Sequence, residues 1–148
     1  MSVEPAVDVT MGYDEFGKKV VENHVKAGRI LKMLLLDTNG KVRYKKTFGN
    51  SAKEDMEFFL DENGKVRYEG HFNKCEKNGS GIYYDEFNNA VYEGTFVNGM
   101  KHGYGCEYNA TNVMIYSGEF ESDKRCGFGR DFCPNSGAPL YEGSFKNN

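Results

Sequence analysis

The sequence predicts an all-β protein, an antiparallel meander built from β-hairpin repeats about 24 residues long. Three observations carry that reading. An aromatic pentad recurs at a fixed interval, a pair of glycines recurs in step with it, and the chain is rich in Gly and aromatic residues but poor in Pro. Aromatic residues favour strands, and Gly supplies the backbone conformations that tight turns need.

The pentads are Tyr68-Glu-Gly-His-Phe72, Tyr92-Glu-Gly-Thr-Phe96, Tyr116-Ser-Gly-Glu-Phe120 and Tyr141-Glu-Gly-Ser-Phe145, whose tyrosines are spaced 24, 24 and 25. The glycine pairs are Gly79-Ser-Gly81, Gly103-Tyr-Gly105 and Gly127-Phe-Gly129, also 24 apart. Two interleaved signals holding one period are the mark of a repeat architecture.

Toward the N-terminus the period decays. Leu36-Asp-Thr-Asn-Gly-Lys-Val-Arg-Tyr44 matches Leu60-Asp-Glu-Asn-Gly-Lys-Val-Arg-Tyr68, and Tyr44-Lys-Lys-Thr-Phe48 fills the pentad slot with Lys46 in place of Gly. One unit earlier, Tyr13-Asp-Glu-Phe-Gly resembles Tyr84-Asp-Glu-Phe-Asn, and Val21-Glu-Asn-His-Val25 fills the slot. A short amphipathic helix over about 14–27, with Phe16, Val20, Val21 and His24 on one side, is the competing reading, although Gly17 and Gly28 oppose it. The chain therefore divides into residues 1–30, an N-terminal segment or degenerate first repeat, and residues 31–148, a repeat sheet that is regular from about 68.

Within a repeat the pentad alternates as a strand does, with Tyr92, Gly94 and Phe96 on one face and Glu93 and Thr95 on the other. The glycine pair is expected to open a second strand, which ends in Leu36, Leu60, Tyr84, Tyr108 or Phe132. Asn39-Gly40 and Asn63-Gly64 signal tight turns, because both residue types tolerate left-handed φ. The pentad glycine leaves room for a ring to lie over bare backbone.

The YEGxF pentad, the loop Asn98-Gly-Met-Lys-His102 and the glycine pair together resemble the MORN (membrane occupation and recognition nexus) repeat family. The resemblance is close over 68–148, partial over 34–67 and faint before that. It implies an elongated, single-layer, twisted sheet, and a role as a scaffold or adaptor near membranes and cytoskeleton, often as a dimer. Family members that carry a fused enzyme need a further domain, for which 148 residues leave no room.

Composition narrows the function classes. The net charge of −3 is uneven: residues 1–50 carry nine Lys/Arg and six Asp/Glu, and residues 51–148 carry ten and sixteen. Neither part has the dense basic cluster of a nucleic-acid binder. The first residues have neither a basic nor an apolar stretch of the kind that forms a signal peptide, and the apolar run 33–36 is too short to span a bilayer. Cys75, Cys106, Cys126 and Cys133 show no CxxC pairing, so free thiols in a reducing cytoplasm are expected.

No catalytic, cofactor-binding or metal-binding set emerges. His24, His71 and His102 are far apart in sequence and form neither a metal set nor a triad. Glu69, Glu93 and Glu142 recur at one slot, which Ser117 interrupts, and read as a solvated column rather than a carboxylate pair. The glycine pairs lack the strand-to-helix setting of a nucleotide loop. Lys74 and Lys77, Lys101 and His102, and Lys124 and Arg125 fall in equivalent loops and make one edge mildly basic, the basis for an alternative function as a phosphoinositide-membrane adaptor.

Departures from the repeat point to interaction. Leu34-Leu35-Leu36, Phe58-Phe59-Leu60 and Ile82-Tyr83-Tyr84 are apolar throughout, whereas later repeats place Glu107 and Asp131 at the middle position. Leu35, Phe59 and Tyr83 are therefore expected to face away from the aromatic face and to be covered, either by residues 1–30 or by a partner. Asn148 follows Phe145 by three residues, so Tyr141 and Phe145 read as an unprotected edge through which a homodimer forms, a shortened chain being the alternative. The resulting expectation is a non-enzymatic scaffold that binds an extended or helical protein segment. The partner-binding candidates are Leu35, Phe59 and Tyr83 on the patch, and Tyr92, Phe96, Tyr116 and Phe120 on the aromatic face. The expected setting is the cytoplasm of a eukaryotic cell, in a cytoskeletal or ciliary (flagellar) assembly, with no nucleic acid partner.

Overall fold

The computed structural model describes residues 6–50, 55–74 and 76–146. Every described element is a strand, and the twelve strands follow one another in chain order, antiparallel and without a crossover. The chain divides into two units, residues 1–66 and 67–148.

The first unit contains β1 (Val7–Tyr13), β2 (Lys19–Lys26), β3 (Arg29–Leu36), β4 (Val42–Thr47) and β5 (Met56–Leu60). The helix considered over about 14–27 does not form. That stretch holds a turn and strand β2, because Gly17 and Gly28 both take positive φ at the two ends of β2, and valines 20, 21 and 25 favour strand. Residues 7–26 lie in the plane of the sheet as β1 and β2, so this part of the N-terminal segment does not fold over a sheet face; residues 1–5 lie outside the described residues.

The second unit contains β6 (Val66–Asn73), β7 (Glu76–Tyr84), β8 (Ala90–Val97), β9 (Met100–Tyr108), β10 (Met114–Glu121), β11 (Lys124–Phe132) and β12 (Pro139–Phe145). Its even strands carry the pentads and its odd strands the glycine pairs. The glycine pair does not open its strand as expected. Strand β9 begins at Met100, three residues before Gly103, and β11 begins at Lys124, three before Gly127. The first glycine of each pair instead sits at a register shift inside the strand, where its positive φ (85°, 70° and 54° at Gly79, Gly103 and Gly127) accommodates a bulge.

Two kinds of turn alternate. At one end, a carboxylate or amide at the first turn position accepts two backbone N–H bonds. Asp85 Oδ1 takes the Phe87 and Asn89 amides at 2.9 and 2.8 Å, and Asp14, Asp37, Asp61 and Asn109 repeat the arrangement. At the other end are two-residue hairpins with both φ positive, such as Asn98-Gly99 and Ser122-Asp123. Asp123 tolerates this because its amide donates to the Lys101 carbonyl and its carboxylate accepts from the Lys101 amide, at 3.1 and 2.8 Å.

Candidate interaction face

The core of the second unit is a ladder of rings on one sheet face. Phe72, Tyr68, Phe96, Tyr92, Phe120, Tyr116, Phe145 and Tyr141 meet edge to face in sequence, with centroids 5.0 to 5.2 Å apart. Each such pair contributes about 0.5–1.5 kcal/mol beyond its buried area. The glycines make room for it. Gly70, Gly81, Gly94, Gly105, Gly118, Gly129 and Gly143 face one another across the strands as a single bare row. Each tyrosine lies over this row and donates its hydroxyl to a carbonyl three residues on: Tyr68 to His71, Tyr92 to Thr95, Tyr116 to Glu119 and Tyr141 to Ser144, at 3.0 to 3.1 Å. Burial pushes the Tyr116 phenol up to about 12 and the Tyr92 phenol higher still.

A layer of charge covers the rings. Lys77, Lys101 and Arg125, themselves 24 residues apart, project over them. Lys77 Nζ stands 4.6, 5.1 and 5.6 Å from the Tyr83, Phe96 and Tyr68 centroids, Lys101 Nζ 5.0 Å from Tyr92, and Arg125 Cζ 4.4 Å from Tyr116. Glu107 joins Lys101 at 2.5 Å and Arg125 at 2.7 Å, and Asp131 takes the other side of Arg125 at 2.8 Å. Burial alone would raise the Glu107 carboxyl, but the bonds and charges of Lys101 and Arg125 outweigh it and hold the carboxyl below its ordinary range.

These positions correct the expected basic edge. Of its six residues, Lys77, Lys101 and Arg125 lie in strands and cap the ring ladder. Only Lys74, His102 and Lys124 remain exposed.

The register also corrects the facing of Tyr83. Tyr68 pairs with Tyr83 and Tyr83 with Tyr92, while Tyr92 and Tyr116 both pair with Glu107. Directly opposed residues share a face, so Tyr83, Glu107 and Asp131 all lie on the ring-ladder face. The expectation failed because Ile82-Tyr83-Tyr84 is apolar throughout and does not mark its own face. The unbroken register from Gly81 opposite Gly94 to Tyr83 opposite Tyr92 sets Tyr83 on the ladder face, and Tyr84, the next residue, turns to the other. There the Tyr84 hydroxyl donates to Glu69 at 2.6 Å; burial first, then that carboxylate, pushes its phenol up to about 12.

In the first unit the same correction applies to Leu35 and Phe59. Val21 pairs with Leu35, Leu35 with Tyr44, and Tyr44 with Phe59, placing them in one row on the face that carries the Tyr44 pentad. Leu35 is 36% and Phe59 42% exposed. Beside this row runs a second one, Asn23, Met33, Lys46 and Glu57, where the second unit has its glycines. Lys46 fills the space a ring would cover and bonds Glu57 at 2.9 Å and Asp55 at 3.4 Å; the Tyr44 hydroxyl turns to Glu57 at 2.7 Å. The Glu57 bond, above all, holds the Lys46 ammonium above its usual range.

The other sequence candidates divide by burial. Tyr92, Phe96, Tyr116 and Phe120 are at most 2% exposed, so they form the ladder and offer a partner no surface. Phe145 is buried as the last phenylalanine rung, and Tyr141 beside it is half exposed. Sequence reasoning missed Tyr104 and Phe128, the middle residues of two glycine pairs, which stand 65% and 50% exposed on the opposite face. It also missed the stacking role of Lys77, Lys101 and Arg125, although their spacing was in the period all along.

Cys106, Cys126 and Cys133 are free thiols; Cys75 lies outside the described residues. Among the described residues no group of three His, Cys, Asp or Glu could hold a metal ion. No helix there is long and apolar enough to cross a membrane. None of the curated proteins matches the chain. Residues 92–112 and 116–135 do match the family described as MORN repeat. Together with the recurrence of the same ring, glycine and turn positions through the second unit, that match identifies these residues as MORN repeats.

Proposed function

We propose that the protein is a non-enzymatic scaffold that takes a protein segment across its sheet, in a cytoskeletal or ciliary assembly of a eukaryotic cytoplasm. The observation that carries this reading is the row formed by Leu35, Tyr44 and Phe59, which crosses three adjacent strands and leaves two large apolar side chains open. Exposed apolar rows on a sheet face suit a segment laid across the strands, extended or helical. The family resemblance supports the scaffold role and motivates the choice of assembly.

Capture of partners by wild type and by a Leu35→Asp/Phe59→Asp variant tests the reading. The expected result is a defined partner lost from the variant, with the circular dichroism spectrum unchanged. Identical capture by the folded variant would remove the Leu35–Phe59 row from consideration. The phosphoinositide alternative has less support, since half of its basic residues are committed to the ring ladder. Flotation with phosphoinositide vesicles at physiological salt tests it, and headgroup-dependent binding would favour it over the protein-scaffold reading.

A further inference from the structure

The charge layer over the ring ladder is incomplete at one place. Lys101 faces Glu107, and Arg125 faces Glu107 and Asp131. One period earlier, Lys77 faces Tyr83, which occupies the position of those two carboxylates. Among the described residues Lys77 makes no ion pair; its ammonium is surrounded by the Tyr68, Tyr83 and Phe96 rings. Asp123 acts on it from a distance, but its carboxylate is bonded to the Lys101 amide.

We infer that Lys77 and Tyr83 form a receiving site for a carboxylate side chain of a protein partner, which supplies from outside the charge that Glu107 and Asp131 supply within the chain. Three features fit that occupant. The cation is fixed by rings, so little side-chain freedom remains to be lost on pairing. Its surroundings are apolar, so an arriving carboxylate meets weakened competition from water. Along this column Glu107 and Asp131 pair with Lys101 and Arg125, and Lys77 is the cation that has no ion pair among the described residues. Burial, which lowers the Lys77 ammonium's affinity for its proton, accords with an ion waiting for its partner.

The site deepens the scaffold reading and rests on it, since it names the chemistry of the partner. Its test uses the full chain and a blocked Glu-rich decapeptide as probe, with the matching Gln-rich decapeptide and inositol trisphosphate as controls. Titration is followed by NMR at the Lys77 Nζ group. The Glu peptide is expected to bind wild type. Lys77→Gln and Tyr83→Glu should each weaken it about tenfold or more, as loss of a charge-assisted pair does, while Lys101→Gln changes it little. Tyr83→Glu retains the fold because it copies the Glu107 arrangement, and its unchanged circular dichroism spectrum verifies this. Unaltered affinity in Tyr83→Glu, equal losses in Lys77→Gln and Lys101→Gln, or binding of inositol trisphosphate without the Glu peptide would each overturn the inference. The Leu35→Asp/Phe59→Asp variant should bind the Glu peptide as wild type does, so failure here and failure of the scaffold reading are separable.

Discussion

The ring of Tyr92 covers Gly105, and its hydroxyl reaches past that glycine to donate to the Thr95 carbonyl at 3.0 Å. A Cβ placed on Gly105 would meet the tyrosine ring and hydroxyl inside van der Waals contact, and on Gly94 opposite it would meet the same hydroxyl at 2.5 Å. The glycine row and the ring ladder are thus two sides of one packing requirement.

Gly105→Ala should accordingly destabilise the fold by about 1–3 kcal/mol, the range for overpacking a filled core. In a Tyr92→Leu background the same change should cost much less, because the ring it collides with is gone. Urea unfolding of the four proteins of this cycle measures both. Additive losses would show that the ring does not set the cost.

Glu107 links two repeats by holding Lys101 and Arg125, so Glu107→Gln should lose about 1–3 kcal/mol at neutral pH. The folded-state pKa of Glu107 lies below its ordinary 4.5. Its stabilisation is therefore complete above that value and is lost as pH falls through the lower folded value. Urea midpoints for wild type and Glu107→Gln should converge in acid, as pH falls through the lowered folded value. A gap that persists there would assign the loss to packing instead of charge.

Lys46 and Glu57 replace a glycine pair with an ion pair that is largely buried. Lys46→Met leaves the Glu57 carboxylate without its cation and should destabilise the fold by roughly 1–3 kcal/mol. Lys46→Met combined with Glu57→Gln should recover part of that loss, since no buried charge then stands unpaired. The raised pKa of Lys46 places its contribution at neutral pH and removes it only as alkali passes the folded value. A double-mutant cycle at neutral pH reads the coupling directly; zero coupling would contradict it.

Asp85 holds its turn through the Phe87 and Asn89 amides. Asp85→Ala should accelerate hydrogen exchange at both amides while leaving the β8–β9 ladder protected. The bond from Asn89, chiefly, lowers the Asp85 carboxyl, so the same loosening should appear in wild type as acid passes below its ordinary 3.8. Unchanged exchange at Phe87 and Asn89 in the variant would place the turn's order in its backbone alone.

Much of the fold was legible in the sequence because its signals are local or periodic. The pentads place their own strands, since Tyr92, Gly94 and Phe96 alternate without reference to anything distant. The room that the pentad glycine leaves was readable for the same reason. The degenerate first repeat was less legible: Val20, Val21 and His24 suit either a helix or a strand at short range, and the pairing of β2 with β1 and β3 decides for the strand.

The interaction face was read less well, and the cause is specific. Three successive apolar residues, Ile82-Tyr83-Tyr84, leave the face of the strand open, and a register one residue off reverses every side chain. Pairing of Gly81 with Gly94 and of Tyr83 with Tyr92 is what sets Tyr83 on the ladder face. Glycine at 79, 103 and 127 marked where bulges form, but the number of residues each bulge absorbs is fixed by the strand alongside.

The sequence by itself determined the repeat, its period, the strand-forming pentads and the positions where this chain departs from them. All of these are properties of residue type and spacing. Only the tertiary structure decided which face Leu35, Phe59 and Tyr83 occupy, that Lys77, Lys101 and Arg125 lie over rings, and that Lys77 alone of the three meets a tyrosine in place of a carboxylate. Those relationships pair residues from different strands, and their register depends on hydrogen bonding between strands, which the order of residues along one strand does not encode.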